Sequence, residues 1–307
     1  MSHIFEALQR AEAERSGGDL PQPPASVADL LEHALAKGDH ADSAAALNQT
    51  AAVDGLEAEI LSSARVVVPT PASDARLVCL TDQGSLAAEK FRVLGLRLRN
   101  LREKRPLKRI VVTSTIPEEG KSLSAANLAL NQSRSKLLRT LLVDGDLRRP
   151  ALASRFGLSH ALPGLTECLR GEKPLSEILY KLNGTSLWFL PSGIPPANPL
   201  DLMQSGRMAD LLNRLGKFFD LIIIDSPPLF PLADATFWMK LSDGVVLITR
   251  EGVSEKKPLK RMLETIDPSI LLGIVVNSCS SGDHKNYYQR YGAPSLSREE
   301  TPAAESE

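Results

Sequence analysis

The sequence predicts the α/β class, with a doubly wound, mainly parallel sheet. Three observations predict it. Short apolar runs rich in Val, Ile and Leu recur along the chain. Segments of helical periodicity separate them, and strands alternating with helices are the pattern of a parallel sheet covered on both faces. Two of the runs end on an aspartate, and a third leads into Gly120-Lys121-Ser122.

The strands are expected at Arg109–Ser114, Thr140–Asp144, Leu187–Leu190, Leu221–Asp225, Gly244–Thr249 and Leu272–Asn277. Each is continuously apolar rather than alternating, as in strands buried on both faces. Helices are expected at Leu86–Leu101, before the first strand, and at Leu123–Asn131, after the Gly-Lys-Ser. In such a sheet ligands bind beyond the carboxyl ends of the strands.

The 307 residues are enough for one large domain with extensions, and a 43% hydrophobic content can fill its core. The formal net charge is 36 − 37 = −1, which argues against nucleic acid as a partner, because phosphate neutralisation needs a basic face. Cys79, Cys168 and Cys279 are far apart and odd in number, so reduced thiols are expected rather than a disulfide framework or zinc site. The histidines (His3, His33, His40, His160, His284) have no metal-ligand spacing, and Trp188 and Trp238 are expected in or near the core. No run of about 18 apolar residues is present, and no signal peptide is visible. The expectation is a cytoplasmic protein that meets a membrane only through a partner or a surface helix.

Residues 1–75 differ in texture from the rest. Ile4, Phe5, Leu8 and Ala11 lie at helical spacing within Met1–Arg15, and Pro21-Gln-Pro-Pro24 follows as a stop and an extended linker. An Ala-rich stretch leads to Val66-Val-Val-Pro-Thr-Pro71. The region reads as a helical and partly unstructured extension: a docking helix and a low-complexity linker. The α/β domain is placed at residues 76–283, and residues 284–307 form a polar tail expected to be disordered when free. Three of the chain's four tyrosines, Tyr287, Tyr288 and Tyr291, fall in that tail.

The chemistry is concentrated in three motifs. Thr113-Ser-Thr-Ile-Pro-Glu-Glu-Gly-Lys-Ser122 lies between a strand and a helix, the context of a phosphate-binding loop. A helix N-terminus offers unpaired N–H groups and a positive dipole end to an anion. Lys121 adds a point charge for phosphate, Ser122 a hydroxyl for Mg²⁺, and Gly120 lets backbone approach closely. The strict pattern wants Gly at position 115, where this chain has Thr115. Leu141-Leu-Val-Asp-Gly-Asp-Leu-Arg-Arg149 places Asp144 and Asp146 two residues apart at a strand end, so period-2 geometry points both the same way. An ordinary helix-capping aspartate reads alike. Leu221-Ile-Ile-Ile-Asp-Ser-Pro-Pro228 delivers Asp225 on a rigid strand, which is Walker B logic. Together the motifs predict a P-loop NTPase of the deviant Walker type.

The three motifs resemble those of the bacterial tyrosine kinases of capsule and exopolysaccharide synthesis. That family carries Ser-x-x-Pro-x-x-Gly-Lys-Ser/Thr (here Ser114 to Ser122), apolar-Asp-x-Asp-x-Arg (Val143 to Arg148) and apolar-Asp-Ser/Thr-Pro-Pro (Ile224 to Pro228). Pro191–Leu202 and Leu272–Asn277 are similar to two further family segments. The resemblance implies an ATP and Mg²⁺ site made of Ser114, Thr115, Pro117, Glu118, Glu119, Gly120, Lys121, Ser122 and Leu123, with Arg148 and Asn277 beside it. It implies that Ser122, Asp146 and Asp225 hold the metal. Lys121, Asp144, Asp146 and Asp225 would form the catalytic set, with Asp144 as base or orienter for a tyrosine hydroxyl. It implies that Tyr287, Tyr288 and Tyr291 accept phosphate between neighbouring subunits. It further implies self-association in a ring, and activation by a transmembrane polysaccharide chain-length regulator on a separate polypeptide, which would recruit the protein to the inner membrane.

Two positions depart from the family pattern. Glu118 stands where glycine is common, followed by Glu119, with both carboxylates free to point outward. The subunit-contact pattern Glu-x-x-Arg-x-x-Arg matches at Glu89 and Arg92 but meets Gly95, with Arg97 as the substitute. The alternative reading is a regulatory ATPase of the Min/Par-like superfamily without kinase activity. Those proteins have a second loop lysine where this chain has Ile116.

Overall fold

The computed structural model describes residues 60–135, 137–230, 234–254 and 256–278. The Met1–Arg15 helix and the tyrosines of the tail lie outside these. The strands are β1 (Arg65–Val67), β2 (Arg109–Ser114), β3 (Thr140–Asp144), β4 (Tyr180–Leu182), β5 (Leu187–Leu190), β6 (Leu221–Asp225), β7 (Gly244–Arg250) and β8 (Leu271–Asn277). They form one sheet in the order β1-β4-β5-β3-β6-β2-β7-β8. Pairing is parallel except between β4 and β5, so the sheet is mainly parallel, as the apolar runs predict.

All six predicted strands are present. The sheet also contains β1 and β4, where the apolar runs predict no strand. Val66 and Val67 were expected to end a linker, but Arg65 pairs with Tyr180 and Val67 with Leu182. Three residues are too few to show a period, and Val66 is exposed, so burial leaves no mark on the sequence. The sheet thus begins at Arg65, before the boundary drawn at residue 76.

Because side chains alternate across a strand, each central strand feeds two cores. Ile110, Val112, Leu142, Ile223 and Ile248 meet Leu98 of helix α1 (Leu86–Lys104) and Ala125, Leu128 and Ala129 of helix α2 (Lys121–Gln132). Val111, Leu141, Val143, Ile222, Ile224 and Leu247 face the other way. There they pack with Leu211 and Leu215 of α4 (Arg207–Phe218), Trp238 of α5 (Asp234–Lys240) and Met262 of α6 (Lys256–Thr265). A short helix, α3 (Leu152–Arg155), follows β3. Each fully buried Leu or Ile contributes about 1.5–3 kcal/mol, so the ends of β2, β3 and β6 rest on a rigid platform. Ser85 caps α1 by accepting the Ala88 N–H at 3.2 Å. The expected tryptophans are found inside: Trp238 is fully buried and Trp188 nearly so.

Candidate active site

The loop between β2 and α2 is built around backbone geometry. Gly120 has φ +94°, and a Cβ there would lie 2.2 Å from Asn277 Nδ2. The next helical hydrogen bond runs from Ser124 N–H to Gly120 O at 2.9 Å. The N–H groups of Lys121, Ser122 and Leu123 in the first turn therefore have no acceptor within the helix, which makes this end an anion site. The base of the loop is tied to the segment after β6. Leu229 N–H donates to Ser114 O and Phe230 N–H to Thr115 O. The Thr113 hydroxyl donates to Pro227 O, and the Ser114 hydroxyl to Ile116 O.

The two neighbouring glutamates behave differently. Glu118 is exposed, as expected, but adopts φ +66°, a region that favours glycine. Glu119, which the sequence leaves free to point outward, turns inward and is fully buried. Its Oε2 accepts the N–H groups of Thr115 (2.7 Å) and Ile116 (3.0 Å), and Oε1 accepts the Ser254 hydroxyl.

Three aspartates converge on Lys121. β3 and β6 are paired in register with Asp144 opposite Asp225, so both strands deliver a carboxylate at the same level. Lys121 Nζ lies 3.1 Å from Asp146 Oδ2, 3.7 Å from Asp225 Oδ1 and 3.2 Å from Ser122 Oγ. Burial alone would depress the Lys121 pKa, but Asp225, Asp146 and Asp144 outweigh it and the ammonium is held above its ordinary value. Asp144 Oδ2 accepts the N–H groups of Ala151 (3.2 Å) and Leu152 (2.9 Å) at the start of α3. Its other oxygen has no hydrogen-bond partner, nor has either oxygen of Asp225. Desolvation, with the Asp225 charge next, pushes the Asp144 carboxyl up to about 8. Desolvation also raises Asp225.

The turn carrying Asp146 is fixed from below. Gly145 N–H donates to Asp225 O at 2.8 Å, and Trp238 Nε1–H donates to Gly145 O at 2.9 Å. A Cβ on Gly145 would meet the indole ring at 2.8 Å, so only glycine fits between Trp238 and the end of β6. Asp146 Oδ1 accepts the Arg149 N–H at 3.0 Å.

Burial disfavours ionisation of Asp144 and Asp225, and the Asp225 oxygens, which lack hydrogen-bond partners, leave room for a cation that would stabilise the charged carboxylates. The donors are all oxygen, which suits a hard ion such as Mg²⁺. No cluster of three His, Cys, Asp or Glu at metal-binding spacing exists among the described residues. A metal here would need further ligands from water and phosphate, which is the usual habit of Mg²⁺.

Sequence reasoning missed Asp234, Ser254 and Arg250. Asp234 opens α5 and grips Arg148 in a bidentate pair, Nε–Oδ2 2.6 Å and Nη2–Oδ1 3.2 Å. Arg148 is thereby turned to Asp234 rather than to the loop. An aspartate at a helix start carries no signal in sequence beyond capping. Asn277 Nδ2–H donates to Glu119 O at 3.0 Å, placing Asn277 against the phosphate loop, and Arg250 Nη1 lies 3.4 Å from Glu118 O.

A parallel sheet whose strand ends carry a glycine-lysine loop and opposed aspartates defines a P-loop nucleotide-binding protein. No protein-family model matches the chain. It is similar to the tyrosine-protein kinase YwqD of Bacillus subtilis, 32% identical over 213 residues that cover 69% of this chain and 89% of that protein. It is also similar to the tyrosine-protein kinase CpsD of Streptococcus pneumoniae serotype 4, 35% identical over 173 residues, 56% of this chain and 76% of that one. Among solved structures, the chimerical protein CapA2B2 matches with TM-score 0.64 and 29% identity, covering 71% of this chain and 95% of that chain. The chain belongs to the bacterial tyrosine kinase family and is a tyrosine kinase.

Proposed function

We propose that this kinase uses Mg²⁺-ATP to phosphorylate its own C-terminal tyrosines, Tyr287, Tyr288 and Tyr291, and thereby regulates polymerisation or export of a capsular or exopolysaccharide. The observation that carries the reading is the Lys121 ammonium suspended between Asp146 and Asp225 at the N-terminus of α2. Bound Mg²⁺-ATP supplies the transferable γ-phosphoryl group and the charge that offsets the carboxylates.

The chain's own residues divide the work. The residues from Ser114 to Leu123 form the phosphate cradle, with Lys121 as its point charge. Ser122, Asp146 and Asp225 are the ligands for the metal. Asn277 flanks the nucleotide, whereas Arg148, expected beside it, is held by Asp234 in the ligand-free protein. Asp144 takes the hydroxyl proton or orients the incoming tyrosine, whose pKa of about 10 makes it a poor nucleophile at neutral pH. The Asp144 carboxyl, raised to about 8 in the ligand-free protein, exchanges protons near physiological pH.

Among the described residues no helix is long and apolar enough to cross a membrane. The proposed location is cytoplasmic, with recruitment to the inner membrane by a transmembrane chain-length regulator on a separate chain. Self-association would use the exposed Glu89–Arg92 pair on α1. Gly95 cannot take part, because it is buried and a Cβ there would lie 2.1 Å from Asn131 Oδ1. Arg97 is exposed on the same helix.

Titration calorimetry with ATP, with and without Mg²⁺, tests the nucleotide reading. Micromolar, Mg²⁺-dependent binding that Lys121→Met abolishes is expected. Equal binding by wild type and Lys121→Met would rule the site out.

A further inference from the structure

We infer that Glu119 is a positioning residue of the phosphate loop and that Ser254, on the segment after β7, belongs to the nucleotide-binding apparatus through it. The inference rests on the reading of this loop as the nucleotide site. A buried carboxylate is costly unless its oxygens are satisfied. Glu119 satisfies them with two loop amides and one hydroxyl, and no ion pair to it occurs among the described residues.

The carboxylate therefore acts as an internal anion around which residues 115–119 are folded. The amides of Thr115 and Ile116 are turned toward Glu119, so they are not donors to a ligand. The donors left for phosphate include those at the start of α2, next to Lys121. A loop folded in advance need not be ordered when the nucleotide arrives, and that preorganisation appears as affinity.

Ser254 carries the fold of the loop to the next strand connection. Its Oγ accepts the Arg250 N–H at 2.7 Å while its proton goes to Glu119. Arg250 in turn reaches Glu118 O, and Asn277 reaches Glu119 O. Ser254 and Asn277 thus both hold Glu119, while Arg250 at the end of β7 reaches the neighbouring Glu118. Nothing in the three motifs marks Ser254, which lies about thirty residues beyond Asp225.

The test is a double-mutant cycle on ATP affinity and on phosphorylation rate, using the full chain. Glu119→Ala should weaken nucleotide affinity about 10- to 100-fold, and Ser254→Ala about 3- to 10-fold, the sizes expected for hydrogen bonds to a charged group. Most of kcat should survive at saturating nucleotide, because neither side chain touches the reacting atoms. Ser254→Ala should add almost nothing in the Glu119→Ala background, since both break one unit. Glu119→Gln keeps an acceptor for the two amides and an amide facing Ser254 Oγ, and should recover most of the affinity. Additive effects, or a loss confined to kcat, would overturn the inference. Should Glu119→Ala fail to fold, Ser254→Ala alone decides, since wild-type affinity in that variant refutes the coupling. Lys121→Met serves as the reference. If it binds nucleotide normally, the nucleotide site itself is refuted, whereas its loss of binding with unchanged Glu119 and Ser254 variants refutes only the clasp.

Discussion

Asp144 and Asp225 face each other across the β3–β6 pair, fully buried, and among the described residues the Lys121 ammonium is the cation paired with Asp225. Burial raises each carboxyl above its ordinary value, and at Asp144 the charge of Asp225 adds to the rise. The arrangement is unfavourable for the ligand-free protein and favourable once cationic charge is added. The central chemistry and a pH-dependent stability thus share one cause.

The pH dependence has a definite sign. The Asp144 carboxyl titrates at about 8 in the folded protein against 3.8 in the reference state. The native state keeps a proton that the unfolded chain releases between about pH 4 and pH 8. Stability is greatest below that window and falls as pH rises through it, and Asp225 acts in the same direction. Asp144→Asn retains an acceptor for Ala151 and Leu152 while removing the charge. Thermal melting of the ligand-free protein should fall from pH 5 to pH 8 in wild type and much less in the variant. At pH 8 the variant should melt higher by about 3 °C, roughly 1 kcal/mol for a domain of this size.

Glu118 stands in the left-handed region, which costs an L-residue about 1–2 kcal/mol, while glycine loses about 0.5–1 kcal/mol of chain entropy. The first effect wins narrowly. Glu118→Gly should stabilise the protein by about 0.5 kcal/mol in urea titration, with ATP affinity unchanged or improved. Its carboxylate is exposed and holds nothing in the loop.

Gly120 meets both constraints at once, a positive φ and contact with Asn277 Nδ2. Gly120→Ala should weaken ATP binding about 10-fold or more, as φ strain of about 1–2 kcal/mol adds to the displaced amide. Because Asn277 is a flexible side chain, Gly120→Ala/Asn277→Ala should recover only the steric part. Complete recovery by the double variant in calorimetry would show that φ is unimportant.

Trp238 is the support beneath the Asp146 turn. Trp238→Phe removes the hydrogen bond to Gly145 O and should cost about 1–2 kcal/mol. Denaturant unfolding gives the stability. A larger fractional loss in phosphorylation rate than in ATP affinity is expected, because the displaced turn carries Asp146.

Much of this was legible in the sequence, for reasons that vary by element. β3 and β6 are buried along their whole length, so their composition announces them and the aspartates that end them. Gly120 and Lys121 follow from the strand-loop-helix context. β1 and β4 escaped because three residues show no period, and β1 is an edge strand whose partner β4 lies more than a hundred residues away. Glu119 is left free to point outward, and nothing in the sequence marks an inward turn. The Ser254 hydroxyl and the amides of Thr115 and Ile116, which make it an internal anchor, come together only in three dimensions. Asp234 was missed for the same reason, its partner Arg148 being 86 residues earlier.

The most direct test incubates the purified protein with Mg²⁺-ATP, with and without the cytosolic segment of a candidate activator, and maps phosphate by mass spectrometry. Phosphate on Tyr287, Tyr288 or Tyr291 that disappears in Lys121→Met and in Asp144→Asn is the predicted result. Intact ATP binding with no phosphotyrosine under either condition would contradict it.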